Sequence, residues 1–136
     1  WFCSDRGGDF DIYMLSRPAG MSLDEWFLSP AAVPAAVDSI NSTMDEKCPY
    51  VRNRYMVFAS DMQGGMGGFD LYYSVFRNGK WSSPFNMGPA INSAANEYRP
   101  VLGIDLKFEN FFLIFSSDRP GGKGGYDLYF TGISLP

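Results

Sequence analysis

The sequence predicts an all-β protein built from four-stranded antiparallel units of the β-propeller kind, one complete and two partial. Three observations predict it. A strand–Asp–glycine turn–strand phrase occurs three times, as "FCSDRGGDFDIYM" from Phe2, "FASDMQGGMGGFDLYY" from Phe58 and "FSSDRPGGKGGYDLYF" from Phe115. A second phrase occurs twice between these, "INSTMDEKCPYV" from Ile40 and "INSAANEYRPVL" from Ile91. Aromatic residues make up 17% of the chain, with 15 Gly and 9 Pro, a mixture that suits short strands joined by tight turns. A repeat of this length with short strands marks propeller blades. A sandwich does not account for near-identical turn chemistry at matched positions.

The elements follow in order. Asp5, Asp61 and Asp118 hold one place in the repeated phrase, and Asp11, Asp70 and Asp127 hold another. The units run over approximately 1–44, 45–95 and 96–136. The first begins inside the second strand of a blade. After it comes "SPAAVPAAV", where a helix is tempting, but Pro30 and Pro34 argue for a strand end and loop. The second unit is complete, with strands at 48–52, 55–60, 69–76 and 81–87 and an Asn-Gly-Lys turn at 78–80. The third stops after its third strand, near Ile133. Known propellers need about four blades or more to close. The chain, which opens on Trp1 with no Met or signal peptide, is therefore expected to be a segment of a larger propeller. Its bare apolar faces are expected to be covered by remaining blades from the parent chain or another subunit.

Composition excludes several function classes. The 136 residues are 46% hydrophobic and 19% charged, which suits a single globular domain. The net charge of −4 disfavours nucleic acid as a partner. With no histidine, Ser-His and Cys-His nucleophile pairs and imidazole acid–base chemistry are ruled out. No apolar run reaches the roughly 18 residues of a membrane span. Cys3 and Cys48 read as half-buried thiols. No cofactor, metal or catalytic residue is expected. The Asp- and Gly-rich turns supply too few oxygens for calcium on their own, and carboxylates that recur once per unit behave as structural residues rather than as a catalytic pair.

Asp5, Asp61 and Asp118 each end a strand and are expected to accept backbone N–H groups of the following turn. Asp11, Asp70 and Asp127 are expected to bond backbone across the same turn. In the crossovers, Asn41, Ser42 and Glu46, and their counterparts Asn92, Ser93 and Glu97, are expected to pin the loop to the next unit, with Glu meeting the turn Arg or backbone. Up-and-down topology collects these crossovers and turns on one face. There Asp5, Asp9, Asp11, Asp45, Glu46, Asp61, Asp70, Glu97, Asp118 and Asp127 stand against Arg6, Lys47, Arg99, Arg119 and Lys123. Ten acids against five bases make this face the seat of the negative charge, a field that favours a basic protein partner. The candidate partner-binding residues on it are Asp5, Arg6, Glu46, Asp61, Glu97, Asp118 and Arg119.

The phrases "FSSDRPGGKGGYDLYF", "WSSPFNMGPAINS" and "NEYRP" resemble the WD40-like β-propeller repeats of the TolB type, above all those of OmpA-associated envelope proteins. The resemblance covers nearly the whole chain. It departs from the family in two places. "RNR" (52–54) and "GIDLKFEN" (103–110) replace a Pro-Asp-Gly-like turn, and Met62 stands where the other units have Arg6 and Arg119. The resemblance implies a non-catalytic scaffold for protein–protein interaction in the bacterial periplasm or at the outer membrane. In relatives of that type the propeller accompanies a peptidoglycan-binding domain, and some belong to gliding and secretion machinery. The alternative is the propeller portion of a hydrolase, a peptidase or glycosidase, with its catalytic residues elsewhere. The sialidase box S-x-D-x-G-x-T-W is not matched, because Ser-Asp is followed here by Arg-Pro-Gly-Gly.

Overall fold

The computed structural model describes residues 1–29, 33–104 and 110–136. The protein is all-β, and the described residues form three antiparallel sheets, none closed into a barrel. The first sheet contains β1 (Phe2–Ser4), β2 (Asp11–Met14) and β3 (Ala35–Ala36), in that order. The second runs β4 (Glu46–Arg52), β5 (Tyr55–Ser60), β6 (Asp70–Arg77) and β7 (Lys80–Trp81), with β8 (Phe85–Asn86) also paired to β6. The third contains β9 (Glu97–Ile104), β10 (Phe111–Ser117) and β11 (Asp127–Ile133), with β10 in the centre.

The middle sheet is buried on both faces because its strands alternate two apolar sets. Tyr55, Val57 and Ala59 join Leu71 and Val75 in a cluster with Leu102, Leu113 and Phe115 of the third sheet. Met56, Phe58 and Tyr72 form the other cluster, with Ile12 of β2 and Ile40 of the first crossover. Each fully buried Leu, Ile or Phe here contributes about 1.5–3 kcal/mol. One stacked aromatic pair recurs in every sheet between directly paired residues. Phe2–Tyr13, Phe58–Tyr72 and Phe115–Tyr129 have centroids 5.9, 6.1 and 5.8 Å apart. The first sheet leans on β4, and β4, β5 and β6 lean on β9.

A second recurrent feature is a bulge in the first strand of the second and third sheets. The pairing of β4 shifts between Lys47 and Tyr50, and that of β9 shifts opposite Ile114–Ser116. The bulged residues are Cys48 and Arg99, with φ of 55° and 51°. Non-glycine residues seldom hold this left-handed conformation. Cys3 and Cys48 are half-buried free thiols.

Two secondary-structure elements depart from the sequence reading. A helix, α1 (Leu23–Leu28), follows β2. It starts at a capping box in which the Glu25 N–H donates to Ser22 Oγ at 3.2 Å and the Ser22 N–H donates to Glu25 Oε2 at 2.8 Å. The strand expected over 81–87 is broken into β7 and β8. Pro84 has no N–H for a ladder, and Ser82 replaces the ladder by accepting the Val75 N–H on its hydroxyl at 3.1 Å. Part of the 29–37 reading and most of the 103–110 turn, at 30–32 and 105–109, lie outside the described residues.

Candidate functional site: a repeated carboxylate junction

The recurrent polar residues meet where one sheet passes to the next. Each junction is built on an acidic or amide residue followed by glutamate, Asp45-Glu46 between the first and second sheets and Asn96-Glu97 between the second and third. The Asp45 carboxylate accepts the Phe10 N–H at 2.9 Å, and the Glu46 N–H donates back to the Phe10 carbonyl. Asn96 Oδ1 accepts the Phe69 N–H at 3.0 Å, and the Glu97 N–H donates to the Phe69 carbonyl. The dyad thus grips, by both backbone groups, the residue that leads into β2 or β6 of the preceding sheet.

Its other contacts reach the crossover and its own sheet. The Ser42 N–H and hydroxyl donate to Glu46 at 2.9 and 2.7 Å, and the Ser60 hydroxyl donates at 3.0 Å. In the same way the Ser93 N–H and hydroxyl donate to Glu97 at 2.8 and 2.7 Å, and the Ser117 hydroxyl donates at 2.9 Å. Both glutamates are fully buried. Asp61 accepts the Asp45 N–H at 2.9 Å, and Asp118 accepts the Asn96 N–H at 2.7 Å. Asp61 and Asp118 therefore hold the backbone of the neighbouring strand's entry and not, as expected, the N–H groups of the following turn, which Ser60 and Ser117 accept at Met62 and Arg119. Burial without partners is expensive for such groups, and here nearly every oxygen is satisfied.

Asn41 and Asn92 behave differently from the expectation. Each bonds back to the preceding sheet rather than forward. Asn92 accepts the Leu71 N–H at 2.8 Å and donates to the Leu71 carbonyl at 3.0 Å. Asn41 does the same to Ile12 at 2.9 and 3.0 Å. The amide fork serves as a one-residue strand on β2 and β6. Asp70, fully buried, accepts the Met66 N–H and the Asn86 amide, and Asp127 accepts the Lys123 N–H at 2.8 Å.

Besides Asp45 against Asn96, the two junctions differ in the side chain beside the glutamate. Arg119 donates to Glu97 Oε1 at 3.0 Å and to the Ile91 carbonyl at 2.6 Å, while its guanidinium lies over Phe115 and Tyr129 at 5.3 and 4.8 Å. Met62 occupies the equivalent place beside Glu46 and packs on the Phe58–Tyr72 cluster. Among the described residues, Glu46 thus has no cation beside it. Burial pushes its carboxyl above the ordinary range, against the lowering effect of the Ser42 and Ser60 hydrogen bonds. Asp118 moves the other way, because the Asn96 N–H and then the Asn96 side-chain amide stabilise its charge.

The raised Glu46 group takes its proton more readily folded than unfolded. Its contribution to stability is full below the unfolded value near 4.5 and is lost as pH rises through the folded value. Met62→Arg supplies the missing cation. The expected result is a gain of about 1 kcal/mol at pH 7 net of lost methionine packing, with the acid-side contribution of Glu46 removed. Thermal melts from pH 4 to pH 8 check both parts; an unchanged pH profile would contradict the assignment.

Of the seven candidate residues, Glu46 and Asp61 meet in one junction, and Glu97, Asp118 and Arg119 meet in the other. Asp5 and Arg6 are exposed in the β1–β2 turn. The sequence reading did not anticipate Phe10 and Phe69 as gripped residues, because backbone groups leave no trace in residue type. Among the described residues, no helix is long and apolar enough to cross a membrane. Comparison of the chain with protein families, with curated proteins and with solved structures finds no match.

Proposed function

We propose that the three sheets are successive blades of a larger β-propeller that serves as a non-catalytic scaffold for protein–protein contact in the bacterial cell envelope, in the manner of WD40-like repeats of the TolB type. The observation that carries this reading is the recurrence of one junction between successive sheets. Identical bonding at Phe10/Asp45-Glu46 and Phe69/Asn96-Glu97 means that the units are added by one repeated operation, as in a propeller or other serial array. The operation is left unfinished at the third sheet. Tyr126, Leu128 and Phe130 hold the places of Phe69, Leu71 and Tyr73, yet Leu128 is 79% and Phe130 82% exposed where Leu71 is fully buried. A Cβ on Gly67 would lie 2.1 Å from the Ala95 carbonyl of the crossover, whereas one on Gly124, its counterpart, meets nothing within 4 Å. A further unit completes that face.

On this reading the recurrent acids serve the architecture first. The remaining turn positions, among them Gln63 and Lys123, present a rigid loop surface to a protein partner in the periplasm or at the outer membrane. A photo-crosslinking residue at Gln63 of the full-length protein in cells, followed by fractionation, tests the reading. Crosslinks to an envelope protein are expected. Recovery of the protein in the cytosol, or absence of any protein crosslink from this face, overturns it.

A further inference from the structure

The first sheet carries half of a junction. Ser4, Asp5 and Arg6 are the counterparts of Ser117, Asp118 and Arg119, and the geometry matches. Arg6 Nε donates to Ser4 Oγ at 3.2 Å, as Arg119 Nε does to Ser117 Oγ at 3.1 Å. The Arg6 guanidinium lies over Phe2 and Tyr13 at 5.4 and 4.8 Å, against 5.3 and 4.8 Å for Arg119 over its own pair. In the third sheet these groups hold Asn96-Glu97. Among the described residues, the terminal nitrogens of Arg6 and the carboxylate of Asp5 bond nothing. The strand beside them is also unmatched. β5 and β10 each have a partner on both sides, but among the described residues β1 pairs with β2 alone. Since β4 lies against β9 and β1 against β4, a strand added beside β1 would stand to β4 as β4 stands to β9.

We propose that the free edge of β1, with Ser4, Asp5 and Arg6, is an acceptor site for an added antiparallel strand of the pattern Ile-Asn-Ser-x-x-Asn/Asp-Glu. The glutamate takes the Arg6 guanidinium and the Ser4 hydroxyl, and Asp5 takes the N–H of the residue before it. The exposed cation pre-set on its aromatic pair calls for a carboxylate, and main-chain pairing supplies the rest of the affinity. The two segments of this pattern within the chain are already seated, with Glu46 and Glu97 fully buried, so a second copy cannot lend one without unfolding. The occupant is a third segment of that pattern, from outside these 136 residues. This rests on the serial-array reading of the sheets, but not on the compartment or the partner.

The probe is a fluorescein-labelled peptide of residues 91–102, titrated into the intact protein, and in a second form the same segment joined ahead of Trp1 through a flexible linker. Saturable anisotropy is expected, with amide exchange slowed at Cys3 in β1. Arg6→Met copies the natural residue of the second unit. It is expected to weaken binding about tenfold or more, as is Gln in place of the peptide's Glu. The fused segment is expected to raise the Tm, and Arg6→Met to cancel the rise. Binding indifferent to both changes, protection at the β11 edge instead of β1, or no effect of either form of the segment overturns the proposal. None of these readouts involves an envelope component, so a failure here is separate from a failure of the scaffold reading.

Discussion

Glu97→Ala is expected to destabilise the protein by about 3–5 kcal/mol, the range for breaking a buried ion pair by removing one partner. The carboxylate is fully buried and accepts from the Ser93 N–H and hydroxyl, the Ser117 hydroxyl and Arg119. Alanine leaves all four donors facing a void, and the guanidinium, held in place by Phe115 and Tyr129, has little freedom to withdraw. Urea denaturation at pH 7 measures the loss. Glu46→Ala is the internal comparison. It removes the same crossover and hydroxyl contacts but strands no cation, so its cost is expected to be smaller, about 1–3 kcal/mol. Equal losses at the two sites would show that Arg119 contributes nothing to the junction. The double variant Glu97→Ala/Arg119→Met then isolates the pair: its loss is expected to be less than the sum of the single losses, because methionine is the residue the second unit already carries at that place.

The strands were legible because the turns that bound them repeat in residue type. β5 and the end of β11 fall where the sequence places them, and β4 and β6 differ only by a residue or two at their ends. The pairing of Glu with the turn arginine was also legible, since both recur at fixed places in the phrase. What was hidden has a common cause. The grip on Phe10 and Phe69 uses main-chain groups, which every residue shares. The left-handed bulge is held by Cys48 and Arg99, where glycine would have signalled it. The short helix carries a signal that the sequence reading did not use, Ser22 followed three residues later by Glu25; Pro30 and Pro34 bear only on 29–37, beyond its end. The direction in which Asn41 and Asn92 reach is tertiary information that a repeated Ile-Asn-Ser does not contain.

Asn92→Ala, the counterpart test for the amide fork, is expected to cost about 2–3 kcal/mol. Asn92 is 3% exposed, and its partner Leu71 is fully buried at the centre of the larger core. The Leu71 carbonyl keeps a second donor, the Met87 N–H at 3.0 Å, so its loss is partial. The Leu71 N–H has Asn92 Oδ1 as its partner on that side, and alanine leaves it buried with none. The Asn86 side chain also loses the amide it accepts from at 2.9 Å. Asn92→Asp separates these contributions. Its carboxylate can still accept the Leu71 N–H but sets a negative charge against the Leu71 carbonyl and Asn86 Oδ1, so at pH 7 it is expected to be no better than alanine, and to recover as the added carboxyl is protonated. Amide exchange at Leu71 reads the effect locally: its protection should fall in both variants while that of Leu113, in the neighbouring sheet, falls only as far as global stability does. If Leu71 stays as protected as Leu113 in the alanine variant, the fork is not what holds β6, and the crossover is anchored by Ile91 and Glu97 alone.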